Sequence, residues 1–307
     1  MMKVIVNEES LQFSRILRGL IHMIEMNDRL MLYIDILGFS DFMKNTRDDI
    51  LKQKLSSYEN IFKAYNKEEY FKEIIQTDPM VKRMFPNVTT YEDNPESSVF
   101  SDSILFSYEE YMPYELLQDT PDHFRGAIRK RTIATFIHKA CEIQRDILSS
   151  LGLLVRGVIH IGPLHHEGHL IIGKGFIEAF ELEKKKKNPA IFLSDEVYKR
   201  WQAEIDIELK KDKQHTFYRK EGNDIYIFPA YLLSEKNKQE VYTLIRNGLD
   251  QAPCGARQKW EWMQTELRSY HSAVSMNIIK NFQTKALSRL RNVFVSCRSL
   301  FKKDKTH

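Results

Sequence analysis

Apolar residues along the chain follow two different periods. Helical spacing, with an apolar residue every three or four positions, predicts helices over residues 9–26, 48–64, 129–151 and 173–183. Short β-rich apolar runs predict strands over residues 30–36, 153–162, 190–193 and 224–228. Because helices and strands alternate through this part of the chain, the pattern predicts an α/β fold (an α+β sandwich) with helices packed on a mixed sheet.

A further β-rich stretch, residues 97–107, is interrupted by Ser101, Asp102 and Ser103. These residue types are typical of a tight turn. The stretch therefore predicts a hairpin with Asp102 at its tip. Residues 76–97 carry several prolines and no clear period, and they predict an irregular insertion before the hairpin.

The β signal ends near Pro229, and the remainder of the chain shows almost only helical spacing. We expect an N-terminal helix within residues 1–29, a central domain over 30–232 and a helical C-terminal extension over 233–307. Trp260 and Trp262 are expected to pack this extension onto the central domain or onto a second subunit.

The composition of the 307 residues, 42% hydrophobic and 29% charged, is that of a soluble globular protein. No apolar run approaches the ~20 residues that span a bilayer, and the N-terminus lacks the apolar core of a signal peptide. We therefore expect a cytoplasmic protein without a membrane partner. The net charge of +4 gives no reason to expect nucleic acid, and the three cysteines form no metal-binding spacing.

A single carboxylate lies inside the apolar stretch LMLYIDILGF, at Asp35. If the first strand pairs beside the hairpin, Asp35 and Asp102 reach the same edge of the sheet. A buried carboxylate is costly unless a cation neutralises it. Two aspartates and the backbone carbonyl of Ile36 offer only oxygen ligands, which Mg²⁺ or Mn²⁺ prefer. Two such ions can activate an attacking oxygen and stabilise a leaving phosphate.

The backbone amides of Gly38, Phe39 and Ser40 follow at the start of a predicted helix, where they are candidates to bind a triphosphate. A simpler interpretation stays open. In that interpretation Asp35 is a helix N-cap and Asp102 is an ordinary turn residue.

Five segments taken together resemble the class III nucleotide cyclases: YIDILGF, VFSDSI, VRGVIHIGPL, IIGKGFIEAFELE and NPAIFLSDEVY. The resemblance runs from Met31 to Tyr198. It implies a ferredoxin-like or palm-type core, two divalent ions (Mg²⁺ or Mn²⁺) held by Asp35 and Asp102, and a triphosphate contact from Arg156. It also implies a homodimer, and formation of a 3′,5′-cyclic nucleotide with release of pyrophosphate. The glycine that follows Arg156 falls one place earlier than in the family's motif.

Several positions depart from that family. Ser98 and Leu170 occupy the two positions that read a purine in adenylyl cyclases, and Ile177 and Glu181 replace a transition-state asparagine and arginine. Lys174 is a candidate for the missing positive charge. In these departures the chain resembles the pyrimidine cyclases of bacterial Pycsar anti-phage systems. That resemblance implies UTP or CTP as substrate, cyclic UMP or cyclic CMP as product, and a separate effector that binds the product.

Two alternatives remain: a cyclase that uses ATP or GTP, and a catalytically silent module that senses a nucleotide. Two weaker signals stand beside them. The stretch HHEGH at 165–169 is either a zinc site or, more simply, exposed polar residues of a turn. The basic residues between 289 and 305 suit either a solvated helix face or contact with a partner.

Overall fold

The structure is a computed structural model, and it describes residues 26–65, 96–109, 122–211, 216–228, 235–252 and 255–270. The predicted N-terminal helix, nearly all of the predicted insertion and the basic tail lie outside the described residues.

The described residues form the following strands and helices. The strands are β1 (Asn27–Leu37), β2 (Glu96–Phe100), β3 (Ser103–Glu109), β4 (Leu154–Glu167), β5 (Leu170–Ile172), β6 (Ile191–Leu193), β7 (Tyr218–Glu221) and β8 (Asp224–Ile227). The helices are α1 (Phe39–Asn45), α2 (Asp48–Tyr65), α3 (Asp122–Leu151), α4 (Lys174–Lys184), α5 (Asp195–Arg200), α6 (Gln202–Leu209), α7 (Glu235–Gln251) and α8 (255–270).

The eight strands form one sheet in the order β2-β3-β1-β4-β6-β8-β7, with β5 paired to the end of β4. Strands β4 and β6 run parallel, and the other neighbouring pairs are antiparallel. The predicted fold class, helices on a mixed sheet, is confirmed.

The two faces of the sheet are covered differently. Side chains alternate along a strand, and Leu32 and Ile34 of β1 pack in the large core beneath α2 and α3. Met31 and Tyr33 point to the opposite face, where they pack with Ala179 of α4. Asp35 continues the second series, so it lies on the face that α4 covers.

The structure corrects several predicted boundaries. Helix α3 begins seven residues earlier than expected, and β4 continues past Pro163 to Glu167. Strands β5 and β7 are absent from the prediction because runs of three or four residues show no period. The N-cap of α5 is Ser194, whose hydroxyl accepts a hydrogen bond from the Val197 N–H at 3.3 Å.

Helices α7 and α8 pack against the sheet through one apolar cluster. The cluster joins Leu37 and Leu154 to Phe228 and includes Trp260 and Trp262. Trp262 packs on Tyr226 and Phe228 of the central domain, which was one of the two expected arrangements. Trp260 lies in the same cluster, against Gly248 of α7. No helix within the described ranges is long and apolar enough to cross a membrane.

Candidate functional site

The two predicted aspartates lie at the same edge of the sheet. Asp35 of β1 is directly opposite Ser103, the first residue of β3. The next residue along β1, Ile36, donates its backbone N–H to the carbonyl oxygen of Asp102 at 2.8 Å. The turn of the β2–β3 hairpin is thereby fixed to β1 beside Asp35.

Asp35 is in an environment that disfavours its charge. Its side chain is 24% exposed. Burial raises the pKa of the carboxyl group and the nearby charge of Asp102 raises it further, while Arg156 and Lys259 of α8 lower it. Because the charge of Asp102 adds to the cost of ionising Asp35, a cation beside Asp35 would be stabilising. Asp35 is not a helix N-cap, because α1 is preceded by Gly38, in a left-handed conformation (φ 81°).

Arg156 lies across the β1–β4 pair from Asp35. One terminal nitrogen, Nη2, is 3.5 Å from Oδ2 of Asp35, which is an ion pair at the outer limit of hydrogen-bonding distance. The Nε atom donates a short hydrogen bond to Oε1 of Glu183. A guanidinium group thus bridges a carboxylate of β1 and one of α4.

Glu183, in the last turn of α4, was not predicted from the sequence. Its side chain is only 3% exposed. Burial raises the pKa of Glu183, the hydrogen bond from Arg156 lowers it, and the charge of Asp35 raises it. A signal was present in the sequence, because Glu183 lies seven residues after Phe176 and four after Ala179. That spacing places it on the apolar stripe of the helix, where a carboxylate needs a partner.

The close packing of β4 on β1 explains why a glycine, Gly157, follows Arg156. A Cβ at Gly157 would lie 2.5 Å from the carbonyl oxygen of Tyr33 and 3.3 Å from Cγ1 of Ile34. Only glycine allows β4 to approach β1 this closely at that position. The position of Gly157, one place earlier than in the cyclase motif, is therefore explained by the packing of β4 against β1 in this chain.

The oxygen donors at this edge suit a hard divalent cation. Asp35 and Asp102 supply carboxylates, and the predicted third ligand, the carbonyl of Ile36, belongs to the strand residue beside them. Within the described part of the chain no group of three or more His, Cys, Asp or Glu side chains is placed to bind a metal. A metal site at this edge would therefore need backbone or substrate oxygens in addition to the two carboxylates.

The other predicted substrate-binding residues are distributed unevenly. Gly38 and Ser40 are exposed in the turn that follows β1, whereas the side chain of Phe39 is buried against Tyr58 and Phe42. Lys174 begins α4, about 13 Å along the helix axis from Glu183. Lys174 pairs with Glu178 at 3.0 Å and is not brought to Asp35.

Of the three histidines of HHEGH, only His169 lies in the expected turn. His165 and His166 belong to β4, where they pair with β5. His166 is buried, and its ring contacts Ser107 Oγ through Nδ1 at 2.8 Å and Ser98 Oγ through Nε2 at 2.9 Å. The interpretation of all these residues as exposed polar side chains is therefore wrong for His166.

The directions of these hydrogen bonds define the tautomer of His166. Arg29 donates to Ser107 at 3.0 Å and Ser98 donates to the Gly168 carbonyl at 2.9 Å. The Ser107 hydroxyl therefore donates to Nδ1, and the Nε2–H donates to Ser98. His166 is neutral in this network, since burial, Arg29 and His165 lower its pKa to about 4.

Ser98 and Leu170, which are expected from the resemblance to match two purine-reading positions, offer no free polar group. Ser98 is buried, and its hydroxyl is used by His166 and Gly168. Leu170 is apolar and exposed on β5. Two apolar residues of α4, Ile177 (57%) and Phe180, are also exposed.

No family model and no curated protein matches the chain. The chain is similar to several solved structures. For a guanylyl cyclase domain of the RhoGC fusion protein from the aquatic fungus Blastocladiella emersonii, the identity is 13% and the TM-score 0.33, covering 66% of this chain and 96% of that domain. The adenylyl cyclase CyaB from P. aeruginosa is 13% identical, with a TM-score of 0.37, over 66% of this chain and 93% of that one.

The adenylate/guanylate cyclase/hydrolase from Silicibacter pomeroyi is 20% identical, with a TM-score of 0.31, over 66% of this chain and 95% of that one. The solved structures named here are thus adenylyl or guanylyl cyclases. At these identities and TM-scores, the similarity carries no information on the substrate of this chain.

Proposed function

We propose that the chain is a divalent-metal-dependent nucleotide cyclase. It converts a nucleoside triphosphate into the 3′,5′-cyclic monophosphate and pyrophosphate. The observation that carries the proposal is the hydrogen bond of 2.8 Å that joins Ile36 to Asp102, beside Asp35. It gives two acidic side chains, distant in sequence, a common position at the end of the sheet.

In the proposed reaction Asp35, Asp102 and the carbonyl of Ile36 hold Mg²⁺ or Mn²⁺. When bound, these ions acidify the 3′-hydroxyl of the substrate and neutralise the departing pyrophosphate. The 3′-oxygen attacks the α-phosphorus, its proton passes to solvent, and the bond to the bridging oxygen breaks with the electron pair leaving on pyrophosphate.

Arg156 donates to the triphosphate oxygens in this proposal, because a guanidinium group matches phosphate geometry. The backbone amides of Gly38, Phe39 and Ser40 are retained as further phosphate contacts. Both assignments follow from their positions, directly opposite Asp35 and three to five residues after it.

We propose a pyrimidine substrate, UTP or CTP. Support comes from the two purine-reading positions, where Ser98 is already hydrogen-bonded within the protein and Leu170 offers no polar atom. With its resemblance to the Pycsar cyclases, this suggests that cyclic UMP or cyclic CMP acts on a separate effector in anti-phage defence.

We also propose a homodimer. Phe100 of β2 and Ile177 and Phe180 of α4 are exposed apolar side chains, and we propose that they contribute to an apolar dimer surface. Tyr33 connects this surface to the site, with its ring centre 5.9 Å from that of Phe180. Light scattering behind gel filtration measures the subunit number, and a strict monomer at assay concentration contradicts this part of the proposal.

The test is to incubate the purified chain with each of the four nucleoside triphosphates and Mn²⁺ or Mg²⁺. Cyclic product and pyrophosphate are measured by mass spectrometry. Cyclic UMP or cyclic CMP is the expected product. Cyclic AMP or cyclic GMP instead contradicts the pyrimidine assignment alone, and no cyclic product from any of the four contradicts the reaction.

The second candidate is a silent nucleotide-binding module. It is favoured by Ile177 and Glu181, which replace the asparagine and arginine of active cyclases and offer no donor to a developing negative charge. This candidate predicts saturable nucleotide binding, by calorimetry, with no release of pyrophosphate.

A further inference from the structure

We infer that Arg156 is a placeholder for the cation at Asp35: before a metal ion binds, its guanidinium group supplies the positive charge beside Asp35. Its hydrogen bond to Glu183 holds it in position. On binding of a divalent metal ion, Arg156 exchanges its contact with Asp35 for the triphosphate while its hydrogen bond to Glu183 stays in place. This inference rests on the proposed function, because it takes Asp35 as a metal ligand.

The two contacts of the guanidinium group differ in strength. The Nε edge donates a hydrogen bond to Glu183, and Glu183 is buried. The Nη2 edge only approaches Asp35, at 3.5 Å, and Asp35 is several times more exposed. Charge-assisted hydrogen bonds of good geometry are the strong ones, so the contact between Nη2 and Asp35 is the one that breaks when a metal ion binds.

The remaining donors of Arg156 are available for an anion. Among the residues that the structure describes, Asp35 and Glu183 are its hydrogen-bond partners. A guanidinium group carries five N–H donors, and these two contacts use only two of them. The other three N–H donors have no hydrogen-bond partner among the described residues, and they belong to a group that lies beside the carboxylate proposed to bind the metal.

Glu183 is a positioning residue in this arrangement. Without it, the full charge of Arg156 would act on Asp35, and the guanidinium would compete more strongly with a metal ion. With it, part of that charge is neutralised from the side of α4, and the plane of the guanidinium is fixed. Through Glu183, α4 thereby controls how strongly Arg156 competes with a metal ion for Asp35.

Mn²⁺ alone, titrated without nucleotide at one fixed pH, tests the inference through the EPR signal of the free ion. In Glu183→Gln, Arg156 binds Asp35 more firmly, and we expect Mn²⁺ to bind about fivefold more weakly. In the double variant Arg156→Met with Glu183→Gln, the competitor is gone and no buried charge is left unpaired. There we expect binding about fivefold tighter than in the unchanged chain.

Opposite signs in the two variants support the placeholder role, because damage to the fold would weaken binding in both. Weaker or unchanged binding in the double variant overturns the inference. Glu240→Gln, the same chemical change at an exposed position of α7, is the control and should leave Mn²⁺ binding unchanged.

A second measurement follows Arg156 itself by nitrogen NMR, with diamagnetic Mg²⁺. On addition of Mg²⁺ the Nη resonances should shift while the Nε–H stays protected from solvent exchange, and Glu183→Gln should remove that protection. An Nε–H that exchanges freely in the unchanged chain also overturns the inference.

Asp35→Asn separates this inference from the proposed function. If Asp35→Asn leaves Mn²⁺ binding intact, the metal site of the proposed function is wrong. If Asp35→Asn abolishes Mn²⁺ binding but the two Glu183 variants change it in the same direction, the metal site stands and the placeholder role is wrong.

Discussion

The backbone N–H of Ile36 lies 2.8 Å from the carbonyl oxygen of Asp102, across 66 positions of sequence. This single hydrogen bond links the end of β1 to the turn of the β2–β3 hairpin. It fixes the backbone of the turn that carries Asp102 to the strand that carries Asp35. Sites built on strands hold their geometry better than sites built on loops.

The first prediction concerns the two aspartates. Asp35→Asn and Asp102→Asn should each lower the rate of cyclic nucleotide formation by about a hundredfold or more, since each removes a charged metal ligand. The melting temperature should change little, because each amide is nearly isosteric with the acid it replaces. Initial rates and thermal melts measure the two effects.

Asp224→Asn is the matched control for this prediction. Asp224 is exposed, pairs with Lys186 and lies on β8, three strands away from β1, so its amide variant should keep full activity. Equal loss in all three variants would show that the assay reports protein quality and not metal binding.

The second prediction concerns acid stability. Burial lowers the pKa of His166 to about 4, below the value of about 6.5 expected in the unfolded chain. The unfolded state therefore binds the extra proton first as the pH falls. The stabilisation from neutral His166 is complete above pH ~6.5 and is lost as the pH falls through about 4, by up to about 3 kcal/mol.

His166→Gln keeps a donor and an acceptor but has no proton to bind in this range. Urea unfolding at about pH 7 and about pH 4.5 should therefore show a smaller loss of stability in this variant than in the unchanged chain. An equal loss in both chains would show that other groups control acid unfolding.

The third prediction concerns a buried amine. Lys139 lies on the buried side of α3, with its Nζ 5.4 Å from the centre of the Phe106 ring. Burial lowers the pKa of Lys139 to about 8. The unfolded chain holds this proton up to pH ~10.4. The stability contributed by neutral Lys139 is therefore present above that value and is lost as the pH falls through about 8.

Lys139→Met should accordingly stabilise the fold at pH ~7 by about 1–3 kcal/mol, because the burial cost of the ammonium group disappears. Denaturant unfolding measures the change. Lys52→Met, at an exposed position of α2, should stay within about 0.5 kcal/mol of the unchanged chain. A loss of stability in Lys139→Met would show that the amine makes net favourable contacts.

The fourth prediction concerns the strand that carries Arg156. Gly157→Ala would place a methyl group 2.5 Å from the Tyr33 carbonyl oxygen, which forces β4 away from β1. We expect a loss of about 1–3 kcal/mol in unfolding free energy and a higher KM for the triphosphate, as Arg156 shifts with the strand. Gly255→Ala meets no atom within 4 Å and should be neutral or slightly stabilising.

Much of the fold was predictable because its signals are local. Turn residues predict the hairpin around Asp102, and apolar runs of four or more residues predict the core strands. Strand β5 was not predicted, since Leu170–Ile172 is too short to show a period. That omission also misplaced His166, whose burial depends on β5, Ser98 and Ser107 coming together across long sequence distances.

The candidate site was predictable in part for the same reason. Asp35 and Asp102 stand out because each is a lone acid in a β-rich context. The bond between Arg156 and Glu183 depends on how α4 lies over β4, which sequence spacing does not define. Lys174 illustrates the converse, because its charge was noticeable in the sequence but the length of α4 separates it from Asp35.

The apolar seam between α7, α8 and the sheet has a practical consequence for protein engineering. A truncated version that stopped at residue 232 would uncover Leu37, Leu154 and Phe228, and would remove the nearby charge of Lys259 from Asp35. Such a fragment would be prone to aggregate on expression. Minimal versions of this protein should therefore retain the chain at least to residue 270.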